Sequence, residues 1–285
     1  MIETSLPGPG AAALESPAAG ERIVVPAAGI PFSALVWGVA SARPLLLIHG
    51  VTASAAIWWR VGPALAATGR RVVAVDLPGH GLTGHWQGHF RFRDNAADVA
   101  SFAREAGLVR DDLQVVGHSW GAMTAAALPA VGLRPATLVL LDPPALPLAI
   151  IGGLVEGEVG RENPTIDEAV AALRADNPAW IEGDVRAKAE AMTQVDEAAA
   201  RSVLLDNGDW DGGLADLADP AAVDIATWLI RGDPAFGGYI SDAAVPAFAA
   251  LIGADHVITI EGGPHTPQRT HPVETTAAFI RALQG

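Results

Sequence analysis

The sequence contains no cysteine among its 285 residues, which excludes disulfide bonds, thiolate nucleophiles and zinc–thiolate sites. Basic residues are also few: 18 lysines and arginines stand against 32 acidic residues, giving a net charge of −14. Because nucleic acids and anionic membranes bind basic patches, neither is an expected partner. No apolar run is long enough to span a membrane.

The first 20 residues lack the basic start and the apolar run of a signal peptide. Alanine, proline and glycine are frequent in them, as in a frayed terminus. We therefore expect residues 1–20 to form a flexible leader on a cytoplasmic protein. Half of the residues in the whole sequence are apolar, so the chain after residue 20 is expected to bury a large core.

Short apolar runs alternate with alanine-rich helical stretches along the rest of the chain. Six runs are expected to form strands, at 44–50, 70–79, 113–119, 136–144, 226–234 and 256–265, and two earlier runs, "RIVVP" and "FSALVWG", predict an antiparallel hairpin. Apolarity within the six runs is continuous, which is typical of parallel strands covered on both faces. The pattern predicts an α/β fold with a mostly parallel, doubly wound sheet.

Residues 145–223 interrupt this alternation with helical pieces and no strand-like run. Within them, Thr165 followed by Glu168 predicts a capping box at the start of a helix. We expect a helical cap over residues 145–223, inserted into a core made of residues 21–144 and 224–285.

A serine between two glycines, in "VVGHSWGAM" at 115–123, follows the third of the six runs. The run ends in a Gly-His-Ser-Trp-Gly turn, and a helix of small residues is expected after it. A strand, a sharp turn and a helix in this order form the setting of a nucleophile elbow. Ser119 is therefore the candidate nucleophile.

This elbow and three further motifs resemble the α/β-hydrolase superfamily over roughly residues 22–283. "LLLIHGVTASAAIWW" resembles the His-Gly loop after the third strand, "DLPGHG" (76–81) the loop after the fourth, and "GGPH" (262–265) the loop that presents the catalytic histidine. The resemblance implies an eight-stranded sheet with a helical cap, with Ser119 as nucleophile and His265 as general base. It also implies an oxyanion hole made by the backbone N–H groups of Val51 and Trp120.

Two aspartates are candidates for the acid of the implied catalytic triad. Many family members carry the acid three residues beyond the glycine of the run "TWLIRGDP", and Ala235 occupies that position here. Asp233 directly follows this glycine. Asp142 ends the preceding strand, where a minority of the superfamily keeps the acid. We favour Asp142, because no register of the later loop places Asp233 naturally.

An aromatic, apolar substrate pocket is expected beside the serine, lined by His49, Gly50, Trp58, Trp180 and Trp210. No metal is expected. The histidines His80, His85 and His89 lie close together in sequence but lack a carboxylate partner or helical spacing. No Walker or G-x-G-x-x-G sequence is present, so no nucleotide cofactor is expected either.

The resulting prediction is a cofactor-free serine hydrolase that cleaves a small hydrophobic carboxylic ester or lactone through an acyl-enzyme. A serine nucleophile disfavours the haloalkane dehalogenase and epoxide hydrolase chemistries, which need a carboxylate there. Cleavage of a carbon–carbon bond in a β-diketone, thioester hydrolysis and acyl transfer are alternatives, because the same fold hosts them all. A hydrolase-like receptor that captures a small ligand with little turnover is the alternative from another class. The sequence does not indicate the oligomeric state.

Overall fold

A computed structural model describes residues 8–84, 88, 90–158 and 165–284. Ten strands lie in this part of the chain: β1 (Glu21–Ala27), β2 (Ile30–Trp37), β3 (Arg43–Ile48), β4 (Arg70–Val75), β5 (Gln114–His118), β6 (Thr137–Leu141), β7 (Ala145–Leu146), β8 (Trp210–Asp211), β9 (Ala226–Gly232) and β10 (Val257–Ile260). Eight of them form one sheet in the order β1-β2-β4-β3-β5-β6-β9-β10. Strand β2 pairs antiparallel with β1 and β4, and the other neighbours pair parallel. The predicted hairpin and mostly parallel sheet are confirmed.

The continuous apolarity of the strands reflects burial on both faces of the sheet. In β3, Leu45 and Leu47 join the core on one face, while Leu46 and Ile48 join the core on the other, and all four are fully buried. Neighbouring side chains of a strand point to opposite faces, so a strand covered on both sides is apolar at consecutive positions and not only at alternate ones.

Twelve helices accompany these strands in the described chain. They are α1 (Gly8–Glu15), α2 (Val61–Ala66), α3 (Phe92–Glu105), α4 (Trp120–Ala126), α5 (Leu148–Glu158), α6 (Ile166–Asp176), α7 (Glu182–Gln194), α8 (Glu197–Leu205), α9 (Leu214–Leu217), α10 (Val245–Ile252), α11 (Pro267–Thr270) and α12 (Pro272–Gln284). Helices α3, α4 and α10 cover one face of the sheet, and α2 and α12 cover the other. This is the doubly wound arrangement that the sequence predicts.

The expectation of a flexible leader over residues 1–20 is wrong where the structure describes that segment. Helix α1 packs on α2 and α12, and the side chain of Leu14 is only 3% exposed. Two core side chains fasten its C-terminal end: Arg60 Nε donates to the carbonyl of Leu14, and Trp37 Nε1 donates to that of Ala18. The sequence contains no periodic pattern that predicts these contacts, because the helix is short and alanine-rich.

The segment between β6 and β9 is mostly helical, and it contains helices α5 to α9. The capping box at the start of α6 is present, with Thr165 and Glu168 bonding each other's backbone N–H groups. The expectation of no strands here is wrong, because β7 and β8 pair antiparallel. Each is two residues long, too short to produce a periodic signal in sequence.

The cap segment divides into two parts by its packing. Residues of α5 and α8 join the main core, whereas α6 and α7 pack on each other around a small cluster that includes Leu173 and Val185. In the described part of the chain, no helix has the length and apolarity needed to cross a membrane. The cytoplasmic location stays a prediction.

Candidate active site

Ser119 lies at a tight turn between β5 and α4, with backbone angles φ of 55° and ψ of −122°. Two glycines make this turn possible. A Cβ at Gly117 would collide with the carbonyl oxygen of Gly121, and a Cβ at Gly121 would collide with that of Ile48. The backbone of the elbow therefore packs against itself and against the end of β3, and the serine is placed at the carboxyl edge of the sheet.

A chain of hydrogen bonds links Ser119 to two further residues. His265 Nε2 lies 3.0 Å from Ser119 Oγ, and His265 Nδ1 lies 2.6 Å from Asp142 Oδ2. An ionised carboxylate only accepts hydrogen bonds, so Asp142 keeps the imidazole proton on Nδ1. The lone pair of Nε2 then faces the serine hydroxyl. The structure thus brings Ser119, His265 and Asp142 together across 146 positions of sequence separation.

Asp142 follows β6 and is fully buried. Its Oδ1 accepts the N–H of Gly232, and its Oδ2 accepts the N–H of Tyr239 as well as His265 Nδ1. These contacts hold the carboxylate in one orientation. Burial without such partners would be costly for a charged group, so the three hydrogen bonds explain why the acid sits here.

Asp233, the other candidate acid, is not brought to the imidazole. Its carboxylate accepts the N–H groups of Ala235 and Gly262, and these two hydrogen bonds hold its pKa below the ordinary value. Its own N–H donates to the carbonyl of Gly263. Asp233 therefore fastens the loop that carries His265, and has no contact with the imidazole itself among the hydrogen bonds that the structure describes.

The loop after β3 brings a backbone N–H to the serine. A Cβ at Gly50 would lie 2.9 Å from the Cβ of Ser119, so this backbone passes directly against the elbow. His49 Nε2 accepts the N–H of Leu77, which leaves the proton on Nδ1 to be donated to the carbonyl of Gly50 at 2.8 Å. Because a trans peptide points its N–H opposite to its C=O, the N–H of Val51 faces away from the His49 ring.

His49 was expected to line the pocket, and this expectation is wrong. Its ring is fully buried behind the loop, where burial lowers its pKa to about 4. The ring is therefore neutral at neutral pH and acts on the site through the Gly50 peptide. Trp58, also expected in the pocket, is fully buried against Phe279 below the same loop. Both residues support the loop from the protein interior.

A cavity of about 410 Å³ opens next to Ser119 and His265. The predicted residues Gly50, Val51, Trp180 and Trp210 line it. The side chain of Trp120 is fully buried away from it, but its N–H is the first of helix α4, and first-turn N–H groups lack a partner within their own helix. The size of the cavity suits a small molecule.

Backbone strain is concentrated at this site. Five non-glycine residues of the described chain have a positive φ, and Thr52, Ser119 and Asp142 are three of them. For a β-branched residue such as Thr52, a φ of 55° is a genuine outlier. Such conformations persist only where the surrounding structure enforces them, which is a known mark of functional sites.

Four site residues were missed by the sequence reasoning. His118 was given no role, yet its Nε2 donates to the carbonyl of His265, and burial lowers the pKa of His118 well below the ordinary value. The ring of Tyr239 lies 4.1 Å from that of His265, centroid to centroid. Lys188 and Arg269 also line the cavity. No local signal marks these residues, because their partners are distant in sequence.

His80 is the one histidine of the group considered for metal binding that lies in the described part of the chain. His85 and His89 lie outside the described residues. His80 is fully buried against Trp120, 5.0 Å between ring centroids, and burial lowers its pKa to about 3. Across the described residues, no three His, Asp or Glu side chains converge as a metal site would require.

The fold and the Ser119–His265–Asp142 arrangement are those of an enzyme that activates a serine with a histidine. Comparison with known proteins gives the family. A sequence model of the Alpha/beta hydrolase family matches residues 45–279, and the chain belongs to this family.

Among curated proteins, the chain is 30% identical over 267 residues to Lipase LipV of Mycobacterium tuberculosis (strain ATCC 25618 / H37Rv), covering 87% of this chain and 96% of the lipase. Among solved structures, E-2-(acetamidomethylene)succinate hydrolase matches with a TM-score of 0.79 at 21% identity, covering 93% of this chain and all of the other. The enol-lactonase of Burkholderia xenovorans LB400 matches with a TM-score of 0.71 at 16% identity, covering 92% of this chain and all of the enol-lactonase. At these identities the two structures show the shared fold.

Proposed function

We propose that this α/β-hydrolase is a serine esterase that cleaves a small carboxylic ester or lactone, at least partly apolar, through an acyl-enzyme. One observation carries the proposal: the hydrogen-bonded line from Asp142 through His265 to Ser119 ends at a cavity large enough for a small substrate. The similarity to a protein named as a lipase, which the chain matches over most of both lengths, supports ester chemistry.

The reaction begins with Ser119. Its Oγ attacks the carbonyl carbon of the ester while its proton moves to Nε2 of His265. Asp142 stabilises the imidazolium that forms, because its carboxylate already accepts the Nδ1 proton. The carbonyl oxygen becomes negative, and the N–H groups of Val51 and Trp120 are the donors that would bind it.

The intermediate then collapses and the alcohol leaves, taking the proton from His265 Nε2. A lactone keeps its alcohol attached to the acyl group at this stage. Water next attacks the ester carbon of the acyl-enzyme and gives a proton to the same nitrogen, which returns it to Ser119 as the carboxylic acid is released. Both half-reactions use one base and one pair of N–H donors, so the arrangement around Ser119 suffices for the whole cycle.

A fluorophosphonate probe tests the proposal, because it reacts only with a serine activated in this way. We expect stoichiometric labelling of the wild-type protein and none of Ser119→Ala, with Ser241→Ala, an exposed serine, labelled like wild type. Hydrolysis of aryl esters and lactones of graded acyl size would then define the substrate. An unlabelled wild-type protein would overturn the proposal and favour the receptor alternative.

A further inference from the structure

The walls of the cavity differ in character from one side to the other. One side is apolar and comes from the part of the cap that joins the main core, with Ile151 and Leu154 of α5 and Leu204 of α8. A second part of the lining, the polar side, comes from α6, α7, α11 and the residues next to them. Besides the apolar Leu173 and Met192, it carries the charged and polar residues Asp176, Asn177, Lys188 and Arg269. An entirely apolar substrate would leave these four residues without a complementary group.

Arg269 lies on α11, four positions after His265, and is 8% exposed. Its guanidinium stacks over the ring of Trp180, 4.3 Å from the centroid. Its charge reaches His118 in the elbow, where it adds to burial in lowering the pKa, and Asp184 in α7, where it offsets part of the rise in pKa that burial causes. The cation therefore lies between the candidate catalytic residues and the cap, with its guanidinium over an aromatic ring. A fixed, planar guanidinium binds a carboxylate through two parallel hydrogen bonds.

Lys188 is the only lysine in the sequence, and it lies on α7 facing the same cavity. Its Nζ donates to the carbonyl and to Oγ1 of Thr52, at 3.1 and 2.8 Å. Thr52 directly follows Val51, whose N–H is the proposed oxyanion donor. The ammonium thus lies beside the reacting group, and its charge acts on any anion bound in the cavity.

The placement of these cations is notable in a chain with a net charge of −14. Asp176 lines the same side and Asp184 is buried beside Trp59, so acidic groups balance part of the positive charge. Both cations also have protein partners, which a substrate anion would join or replace. Taking a cation out of water is costly unless an anion or hydrogen bonds compensate it.

We propose that this side of the cavity binds a carboxylate on the non-reacting part of the substrate, recognised by Arg269 with support from Lys188. The substrate class is then an ester or lactone that also carries a free acid group, with its apolar portion against α5 and α8. This inference rests on the proposed function, because it places the acid group relative to a carbonyl that Ser119 attacks.

Two matched pairs of esters test the inference. In the first, the acyl group carries the acid: 4-nitrophenyl hydrogen glutarate is compared with its methyl-capped form. In the second, the leaving group carries it: 4-carboxyphenyl butyrate is compared with its methyl ester. We expect wild type to favour the anionic member of at least one pair by about ten- to a hundredfold in kcat/KM, as a charged hydrogen bond in a buried site provides.

Arg269→Gln should reduce that preference to within about threefold of unity, and Arg269→Lys should keep part of it. Arg281→Gln is the matched control, because Arg281 also stacks over a tryptophan, Trp228, at 5.6 Å, but on α12 outside the cavity. It should keep the wild-type preference. Lys188→Met should lower the ratio of kcat/KM for the anionic ester to kcat/KM for its capped form. The ratio is compared, and not the rates themselves, because losing the hydrogen bonds to Thr52 slows hydrolysis of both esters of a pair.

Binding without turnover gives a second measurement. In Ser119→Ala, calorimetry should show monomethyl glutarate binding at least tenfold more tightly than dimethyl glutarate, with the difference lost when Arg269→Gln is added. If wild type is labelled at Ser119 but favours the capped member of both pairs, the inference is overturned and the esterase proposal stands. If Ser119 is not labelled and no ester is hydrolysed, both fall.

Discussion

Replacing Asp142 by asparagine separates its role from that of Asp233. The buried carboxylate accepts N–H groups on both oxygens: Gly232 on Oδ1, and Tyr239 and His265 on Oδ2. Asparagine has one acceptor oxygen and one NH₂ donor. Either orientation of the amide therefore leaves its NH₂ facing an N–H. We expect roughly 1–3 kcal/mol of lost stability for this buried mismatch.

The loss of activity should be far larger than the loss of stability. If the amide NH₂ faces His265, Nδ1 must become the acceptor, and the proton moves to Nε2, where it blocks removal of the serine proton. The negative charge that stabilises the imidazolium is also gone. A wrong tautomer of this kind costs about 10⁴-fold in kcat in a well-studied triad, and we expect a loss of similar order here.

Steady-state hydrolysis of a 4-nitrophenyl ester measures the activity, and thermal unfolding measures the stability. For a domain of 285 residues, 1–3 kcal/mol corresponds to a shift in Tm of about 2–5 °C, so Asp142→Asn should remain folded at 25 °C. Asp233→Asn is the control, since its partly exposed carboxylate accepts hydrogen bonds from loop N–H groups, and should lose less than about tenfold in kcat. The opposite ranking, or an Asp142→Asn enzyme within tenfold of wild type, would refute the reasoning.

Three further predictions concern the support of the site. His49→Leu removes the hydrogen bond that orients the Gly50 peptide, and should lower kcat by about tenfold or more with little change in KM, measured with the same ester. Gly121→Ala should destabilise the fold by at least about 1–3 kcal/mol in urea titrations, because the new Cβ meets backbone carbonyls. Gly152 faces open space on α5, so Gly152→Ala should stabilise the fold by roughly 0.5–1 kcal/mol. Equal effects of the two substitutions on stability would contradict the packing argument. Finally, the buried neutral histidines should lower the free energy of unfolding as the pH drops from about 6.5 towards 4. In this range histidines of the unfolded chain bind protons, whereas the buried rings of the folded protein stay neutral. His49 alone, with its pKa lowered to about 4, accounts for roughly 3 kcal/mol. Burial raises the pKa of Asp98 to about 6, which acts in the opposite direction over the same range. His49→Leu isolates the contribution of the histidine, and an equal slope for this variant and wild type in urea titrations would show that the His49 ring is not held neutral.

The sheet was predictable because its signal is local. The central parallel strands β5, β6 and β9 are runs of five to seven mostly apolar residues, each followed by a loop that contains glycine or proline, and burial on both faces leaves few polar positions inside them. Ser119 and His265 were predictable for a related reason, since the elbow and the His265 loop are short motifs with a fixed backbone requirement. The helix at the N-terminus and the β7–β8 pair gave no comparable signal.

The acid shows where the sequence reaches its limit. Asp142 and Asp233 each end a parallel strand, at the same edge of the sheet and on neighbouring strands. Their local sequences, an aspartate followed by proline, are alike. Only the path of the loops after the two strands determines which carboxylate meets the imidazole. That path depends on contacts between residues far apart in sequence, such as the hydrogen bond from the Tyr239 N–H to Asp142, which spans 97 positions.

By itself, the sequence determined the architecture and the candidate nucleophile and base, because hydrophobic pattern and tight-turn chemistry are properties of neighbouring residues. Tertiary structure alone decided which aspartate contacts the imidazole, the contact of His49 with the Gly50 peptide, and the meeting of Lys188 and Arg269 in one cavity. Those features are distances between side chains far apart along the chain, and such distances exist only once the loops and the cap have packed on the sheet.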